Sequence, residues 1–140
     1  MAATASTVEV QEAAYGHIAS QNDAGIVTEV AKISDIMSTE AIVRSYFADI
    51  PVMIDVARCE SAFRHTTTDG SILLGRIDPA DTGVMQINKR YHQKSATAMQ
   101  INLDDVYGNM EYARYLYETQ GTRPWSASMP CWGNSLAANY

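Results

Sequence analysis

The sequence predicts a mainly α-helical domain with one short β-hairpin excursion. Three observations carry that expectation. Apolar residues recur at spacings of three and four over most of the chain, Pro and Gly fall where helices start and stop, and β-branched residues flank a single Asp-Gly pair. A chain of 140 residues is long enough for one ordinary core.

Residues 1–7 read as a loose tail and 8–21 as a weak helix. Over 23–38, Ile26, Val30, Ile33 and Met37 are spaced 4, 3 and 4, the period of one helical face. Ser38 or Thr39 then suits the N-cap of a new helix, with Glu40 in its first turn, where the helix dipole favours an anion. That helix carries Ile42, Val43, Tyr46 and Phe47. Pro51 turns Ile50 away from helical angles, so a break is expected near residues 49–50, and Pro51 itself opens the next helix.

The helix over 51–62 bears most on function. Val52, Val56, Cys59 and Phe63 form one stripe, and Met53, Ala57 and Glu60 form the stripe beside it. Glu60 therefore falls at the C-terminal end of an apolar helix, at the edge of its buried face. Beyond it, Asp69-Gly70 between β-branched residues signals a short, irregular hairpin, and residues 78–81 signal another turn. A last long helix is expected over 104–120, with Val106, Met110, Ala113 and Tyr117 inward, Gly121 as its C-terminal cap and Pro124 soon after. Residues 125–132 read as an aromatic, loop-rich tail. No internal repeat or low-complexity tract is evident. The division expected is a tail and helical extension over 1–38, a main domain over 39–133 and a short tail over 134–140.

Charge and composition exclude some functions. The formal net charge is −6, which argues against nucleic-acid binding. No apolar run approaches the roughly 20 residues of a membrane helix. The first seven residues lack the basic and apolar regions of a signal peptide, so the protein is either cytosolic or one whose export signal has been removed. His17, His65 and His92 are scattered and no Cys-x-x-Cys occurs, so no metal or other cofactor is expected. Two cysteines, Cys59 and Cys131, fit either buried thiols or one disulfide.

Four patterns then occur in order: Cys59-Glu60-Ser61-Ala62-Phe63; Asp81-Thr82-Gly83-Val84-Met85-Gln86-Ile87-Asn88-Lys89-Arg90-Tyr91; Asn109 followed by Tyr112-Ala113 and Leu116-Tyr117; and Pro124-Trp125-Ser126-Ala127-Ser128 before Cys131-Trp132. Over roughly residues 39–133 this order resembles the lysozyme-like superfamily, in particular its soluble lytic transglycosylase type. There a helix ending in Glu-Ser is followed by Gly-Leu-Met-Gln and later by an Asn-led helix. Thr68-Asp69-Gly70-Ser71 and residues 81–88 also resemble animal-type lysozymes. Residues 124–128 stand where the transglycosylases carry Ala-Tyr-Asn-Ala-Gly, so no such Tyr is carried over.

The resemblance implies an α+β lysozyme-like fold, a Cys59–Cys131 disulfide and an extracellular or cell-envelope protein. It further implies a protein, by default a monomer, that cuts the N-acetylmuramic acid to N-acetylglucosamine bond of peptidoglycan glycan strands. Such cleavage needs a proton donor that is still protonated near neutral pH, and apolar surroundings raise a carboxyl pKa by penalising its charged form. Glu60 is that candidate. In a transglycosylase the sugar's own 6-hydroxyl attacks, a 1,6-anhydro product forms, and Glu60 serves as acid and then base. In a hydrolase a second carboxylate assists and water completes the reaction; Asp81 is the candidate, against a plain turn residue.

Gln86 and Asn88 are either sugar-facing donors or amides bracing the hairpin. Ser61 either meets substrate or stabilises the helix end. Tyr115 and Trp125 are either stacking platforms for sugar or core residues. A non-catalytic peptidoglycan-binding domain and a helical interaction module of unrelated function are the alternatives from other classes.

Overall fold

A computed structural model of the chain describes residues 24–137. The weak helix expected over 8–21 lies outside them. The chain divides into two units, Met1–Ile33 and Ser34–Tyr140. The described residues are mainly helical, with a small two-stranded antiparallel sheet.

Helix α1 spans Ala24–Tyr46 without interruption. The new helix expected at Ser38 or Thr39 does not start there. Neither residue carries a Pro or Gly signal that would halt the preceding turns. Thr39 is buried in mid-helix, and Glu40 pairs with Arg44 one turn on, at 2.7 Å, instead of joining a cap. The 4-3-4 stripe is helical as expected, but Ile26, Val30, Ile33 and Met37 are exposed, while Val43 and Phe47 near the helix end are buried.

Pro51 stands at N1 of α2, Pro51–Ser61. Met53, Val56 and Ala57 are fully buried, whereas Val52, Cys59 and Glu60 are half-buried. The buried face is thus centred between the two expected stripes. Ala62 ends the helix in the left-handed region and sends its N–H to Arg58 O at 2.9 Å, and Phe63 is left-handed too. Each such non-glycine residue costs about 1–3 kcal/mol and persists only where packing over-determines it. Here Phe63 is buried, with the Arg44 guanidinium over its ring at 5.4 Å.

The β element differs from the expected one in place. The Asp69-Gly70 turn is closed by a single antiparallel bridge, Thr66 to Ile72. The two-stranded sheet is β1, Asp81–Thr82, paired with β2, Ile87–Asn88, in the register Asp81 to Asn88 and Thr82 to Ile87. Its connection is Gly83–Gln86, with Gly83 and Gln86 both at positive φ. A loop with left-handed positions at both ends closes a hairpin that strand propensity alone does not signal. Asp78 makes the expected turn, receiving the N–H groups of Ala80 and Asp81.

Helix α3, Lys89–Ala98, falls where no element was expected. Asn88 starts it by accepting the Arg90 N–H at 3.0 Å. Helix α4 spans Val106–Gln120 and starts two residues later than expected, where the Asp105 side chain caps it at Gly108 N–H; Gly121 ends it, as the sequence predicts. Its inward face is turned from the expected one. Asn109, Tyr112 and Leu116 are buried alongside Met110 and Ala113, while Val106 and Tyr117 only border the core. The carboxy-terminal segment is helical and not a loop: a 3₁₀ turn, Arg123–Ser128, leads into α5, Met129–Ala137. Trp125 and Trp132 are both buried and draw this segment onto the core.

Cys59 and Cys131 form a disulfide, with Cα atoms 6.0 Å apart, that fastens α5 to α2. Of the two readings open for the cysteines, the disulfide is the one realised. Among the described residues no helix is long and apolar enough to cross a membrane.

Candidate active site

Helix α2 presents Glu60 one residue before its last, where the 3₁₀ turn and α5 pack against it. Burial pushes the Glu60 carboxyl above its ordinary value. The Ser128 hydroxyl opposes this by donating to Oε1 at 2.5 Å, and the negative charge of Asp81 reinforces it. Two carboxyl groups that feel each other are a recurrent device for keeping one of them protonated.

Asp81 is set by the sheet. Its carbonyl accepts the Gly75 N–H at 2.7 Å, and its carboxylate Oδ1 accepts Asn88 Nδ2 at 2.8 Å. A side chain on Gly75 would strike the Asp78 carbonyl oxygen at 2.3 Å, so this close approach requires glycine. Asn88 Nδ2 also donates to Asp78 Oδ2 at 2.9 Å. With its carbonyl oxygen capping α3, the whole Asn88 amide is committed to bracing, and it holds the Asp81 carboxylate in place.

Asp81, Gln86, Asn88 and Trp125 line a cleft of about 270 Å³, together with Tyr91 and His92 among others. The lining of this cleft does not include Glu60. The carboxyl connects to it through Ser128, whose hydroxyl lies 3.1 Å from the Trp125 carbonyl oxygen, and through the field of Asp81. Gln86 turns its Nε2 back to Gly83 O at 2.9 Å and fastens its own loop. Trp125 is 3% exposed, and its indole N–H donates to Met85 O at 2.9 Å. It forms cleft wall more than an open stacking platform.

Other expected residues lie elsewhere. Ser61 is buried and donates to Ala57 O at 3.0 Å, a helix-end bond. Tyr115 is outside the lining of this cleft and packs on Tyr112, with ring centroids 5.5 Å apart.

No protein-family model, curated protein or solved structure matches this chain.

Two residues of the site stand in the sequence patterns but are given no role by them. Ser128 is 68 residues from Glu60 and carries no local signal of its role. Tyr91, which is 70% exposed at the cleft, was legible in principle. An Asn at position 88 is a good N-cap, and taking it as one would have set Tyr91 in the first turn of a helix beside the Gln86–Asn88 segment.

His65 is structural. Its Nδ1 accepts the Val84 N–H at 3.1 Å, so Nε2 carries the ring proton and donates to Asp104 O at 2.7 Å. His92 lines the cleft and bonds the Tyr112 hydroxyl at 3.1 Å, and burial lowers its pKa. Chemically, the arrangement offers a carboxyl biased toward its protonated form, a fixed carboxylate whose charge reaches it, and a polar cleft with an exposed aromatic ring.

Proposed function

We propose that this chain is a peptidoglycan-cleaving muramidase with a lysozyme-like fold, and that Glu60 is its general acid. One observation carries the reading. Burial and the charge of Asp81 both favour the protonated form of the Glu60 carboxyl, at the helix end where the resemblance to lytic transglycosylases puts the catalytic acid. A protonated carboxyl gives its proton to the glycosidic oxygen as the bond to the muramic acid C1 breaks, and the carboxylate left behind stabilises the cationic sugar. In the transglycosylase route, Glu60 then takes the proton of the sugar's 6-hydroxyl as that oxygen closes the 1,6-anhydro ring. The acid is thereby restored without water.

A second reading, hydrolysis, is favoured by the position of Asp81 in the wall of the cleft, braced by Asn88 and close enough for its charge to act on Glu60. There Asp81 supports the cationic centre and water attacks. The Cys59–Cys131 disulfide fits an oxidising compartment, in keeping with action at the cell envelope.

Mass spectrometry of fragments released from purified sacculi tests both. Anhydro-muropeptides support the transglycosylase, reducing ends alone support the hydrolase, and no release at any pH from 4 to 8 refutes the muramidase.

A further inference from the structure

Ser128 stands at the junction of three polar groups. Its hydroxyl oxygen lies 2.5 Å from Glu60 Oε1 and 3.1 Å from the Trp125 carbonyl oxygen, and it accepts the Trp132 indole N–H at 3.1 Å. A serine hydroxyl has one proton and two acceptor lone pairs, so it cannot donate to Glu60 and Trp125 at once. When Glu60 is ionised, the proton belongs on the carboxylate, where the bond is charge-assisted. When Glu60 is protonated, the carboxyl becomes the donor. Ser128 then accepts through its free lone pair and turns its own proton to the Trp125 carbonyl. That carbonyl keeps the Trp132 N–H, at 3.0 Å, in either state. Both arrangements satisfy the same atoms with no movement of heavy atoms.

We infer that Ser128 is the positioning residue of Glu60: its hydroxyl turns between the Glu60 carboxyl and the Trp125 carbonyl, so that the acid and carboxylate forms hold one and the same place. The inference rests on Glu60 being the acid proposed above. A group that gives up a proton and then takes one back is served by a partner that matches both states. No bond to Ser128 forms or breaks, and the proton leaves Glu60 only for the leaving oxygen.

The surroundings keep Ser128 in position. Trp125 is tied to Met85, Trp132 is buried, and the disulfide fastens α5 to α2. Few charges compete. On α2, Asp55 and Arg58 face each other at 3.6 Å, and Arg64 beyond its end donates to Ser61 O. Arg123 in the 3₁₀ turn is exposed, α5 carries no charged side chain, and Asp81 on β1 is the charge that reaches Glu60.

The test follows the Glu60 carboxyl itself, by carbon-13 chemical shift against pH in the full chain, for the parent, Ser128→Ala, Ser128→Cys and Ser128→Thr. Cleavage of peptidoglycan is measured beside it. Loss of the hydroxyl removes a donor to the carboxylate, so in Ser128→Ala the Glu60 midpoint moves to higher pH. The kcat falls about tenfold, the worth of one hydrogen bond to a charged group, with KM unchanged. Ser128→Thr keeps the hydroxyl and restores the parent midpoint. A folded Ser128→Ala protein whose Glu60 titrates as the parent does overturns the inference. Should that variant fail to fold, Ser128→Cys, similar in size but a weak donor, discriminates in the same way. A parent that titrates as described while releasing nothing from peptidoglycan supports the hold of Ser128 on Glu60 and sinks the muramidase reading instead.

Discussion

Asn109 accepts the backbone N–H of Met85 through Oδ1 at 2.9 Å, and through Nδ2 it donates to the carbonyls of Thr82 and Leu103 at 2.9 and 3.0 Å. The side chain is fully buried. One amide on α4 thus holds both ends of the segment from β1 to the cleft wall, because Met85 in turn receives the Trp125 indole N–H.

Asn109→Ala strands a donor and two acceptors in the core and leaves a small void. The expected loss is about 3 kcal/mol, from unpaired buried groups and the cavity together. Asn109→Asp does no better, since an ionised carboxylate has no N–H for Thr82 and Leu103. Urea titrations of the two variants give the result directly. A loss under about 1 kcal/mol in both would mean that water enters and replaces the amide.

The sequence pattern reaches the Asn109 backbone position but not this role. Legible from sequence were the helices with strong punctuation, namely Pro51 opening α2 and Gly121 closing α4, because local chemistry dictates those ends. The placing of Glu60 at the edge of a buried helix face was legible for the same reason. Three things were not. The apparent cap at Ser38–Thr39 is overridden by continuation of α1, since a capping residue stops nothing unless the preceding turns also fail. The sheet forms around Gly83–Gln86 because tertiary partners, His65 and Asn109, hold that loop. Ser128 meets Glu60 only because two buried tryptophans fold the last segment inward, which no window of a few residues contains.

Glu60→Gln removes the proposed acid while keeping shape and a hydrogen-bonding partner for Ser128. Cleavage of peptidoglycan is expected to fall at least about a hundredfold, the usual worth of general acid catalysis, with an unchanged circular dichroism spectrum. Full activity in this variant would remove Glu60 from the mechanism. Its stability has a definite pH signature as well. Burial, opposed by Ser128 and aided by Asp81, raises the Glu60 pKa above the ordinary 4.5 in the folded state. Between 4.5 and that raised value the native state binds more protons than the unfolded state, so stability falls as pH rises through the window. Glu60→Gln has no such dependence. The difference in stability between variant and parent therefore shifts in favour of the variant as pH climbs from 4.5. Denaturant midpoints at a series of pH values check this, and parallel curves for the two proteins would deny the raised pKa.

Asp81→Asn separates the two chemical routes and tests the coupling at once. Removing the negative charge makes Glu60 easier to ionise, so the alkaline limb of kcat/KM moves to lower pH in either route. If Asp81 also supports a cationic centre, the rate at the optimum drops by about a hundredfold or more. In the transglycosylase route it drops little. An alkaline limb that stays in place would show that the charge of Asp81 does not reach Glu60.

Reduction of Cys59–Cys131 releases the clamp between α2 and α5. The bridged residues are 72 apart in sequence, so loss of the cross-link costs roughly 4 kcal/mol in the chain-entropy model. Replacement of both cysteines by serine should lower the melting temperature accordingly. It should also depress kcat more than it alters KM, because the hold of Ser128 on Glu60 depends on that packing. A double variant melting with the parent would mean that the tryptophans alone anchor the segment.

Gly83 and Gly70 differ in a way that one substitution exposes. Both have positive φ, at 74° and 84°, so alanine is disfavoured at each by about 1 kcal/mol or somewhat more. At Gly70 a Cβ meets nothing within 4 Å, and the backbone penalty is the whole effect. At Gly83 a Cβ would lie 2.6 Å from Asn109 Nδ2 and 2.7 Å from His65 Cε1. Those side chains are fastened by their own hydrogen bonds to Thr82, Leu103, Val84 and Asp104, so neither can move aside without breaking them. Gly83→Ala is therefore expected to cost about 3 kcal/mol, against about 1 for Gly70→Ala. Because the displaced loop carries Gln86 in the cleft wall, and Met85 behind it holds the Trp125 indole, Gly83→Ala should also lose cleavage activity, while Gly70→Ala keeps it. Equal melting temperatures for the two variants would mean that the Gly83 loop yields freely and that His65 and Asn109 do not fix it.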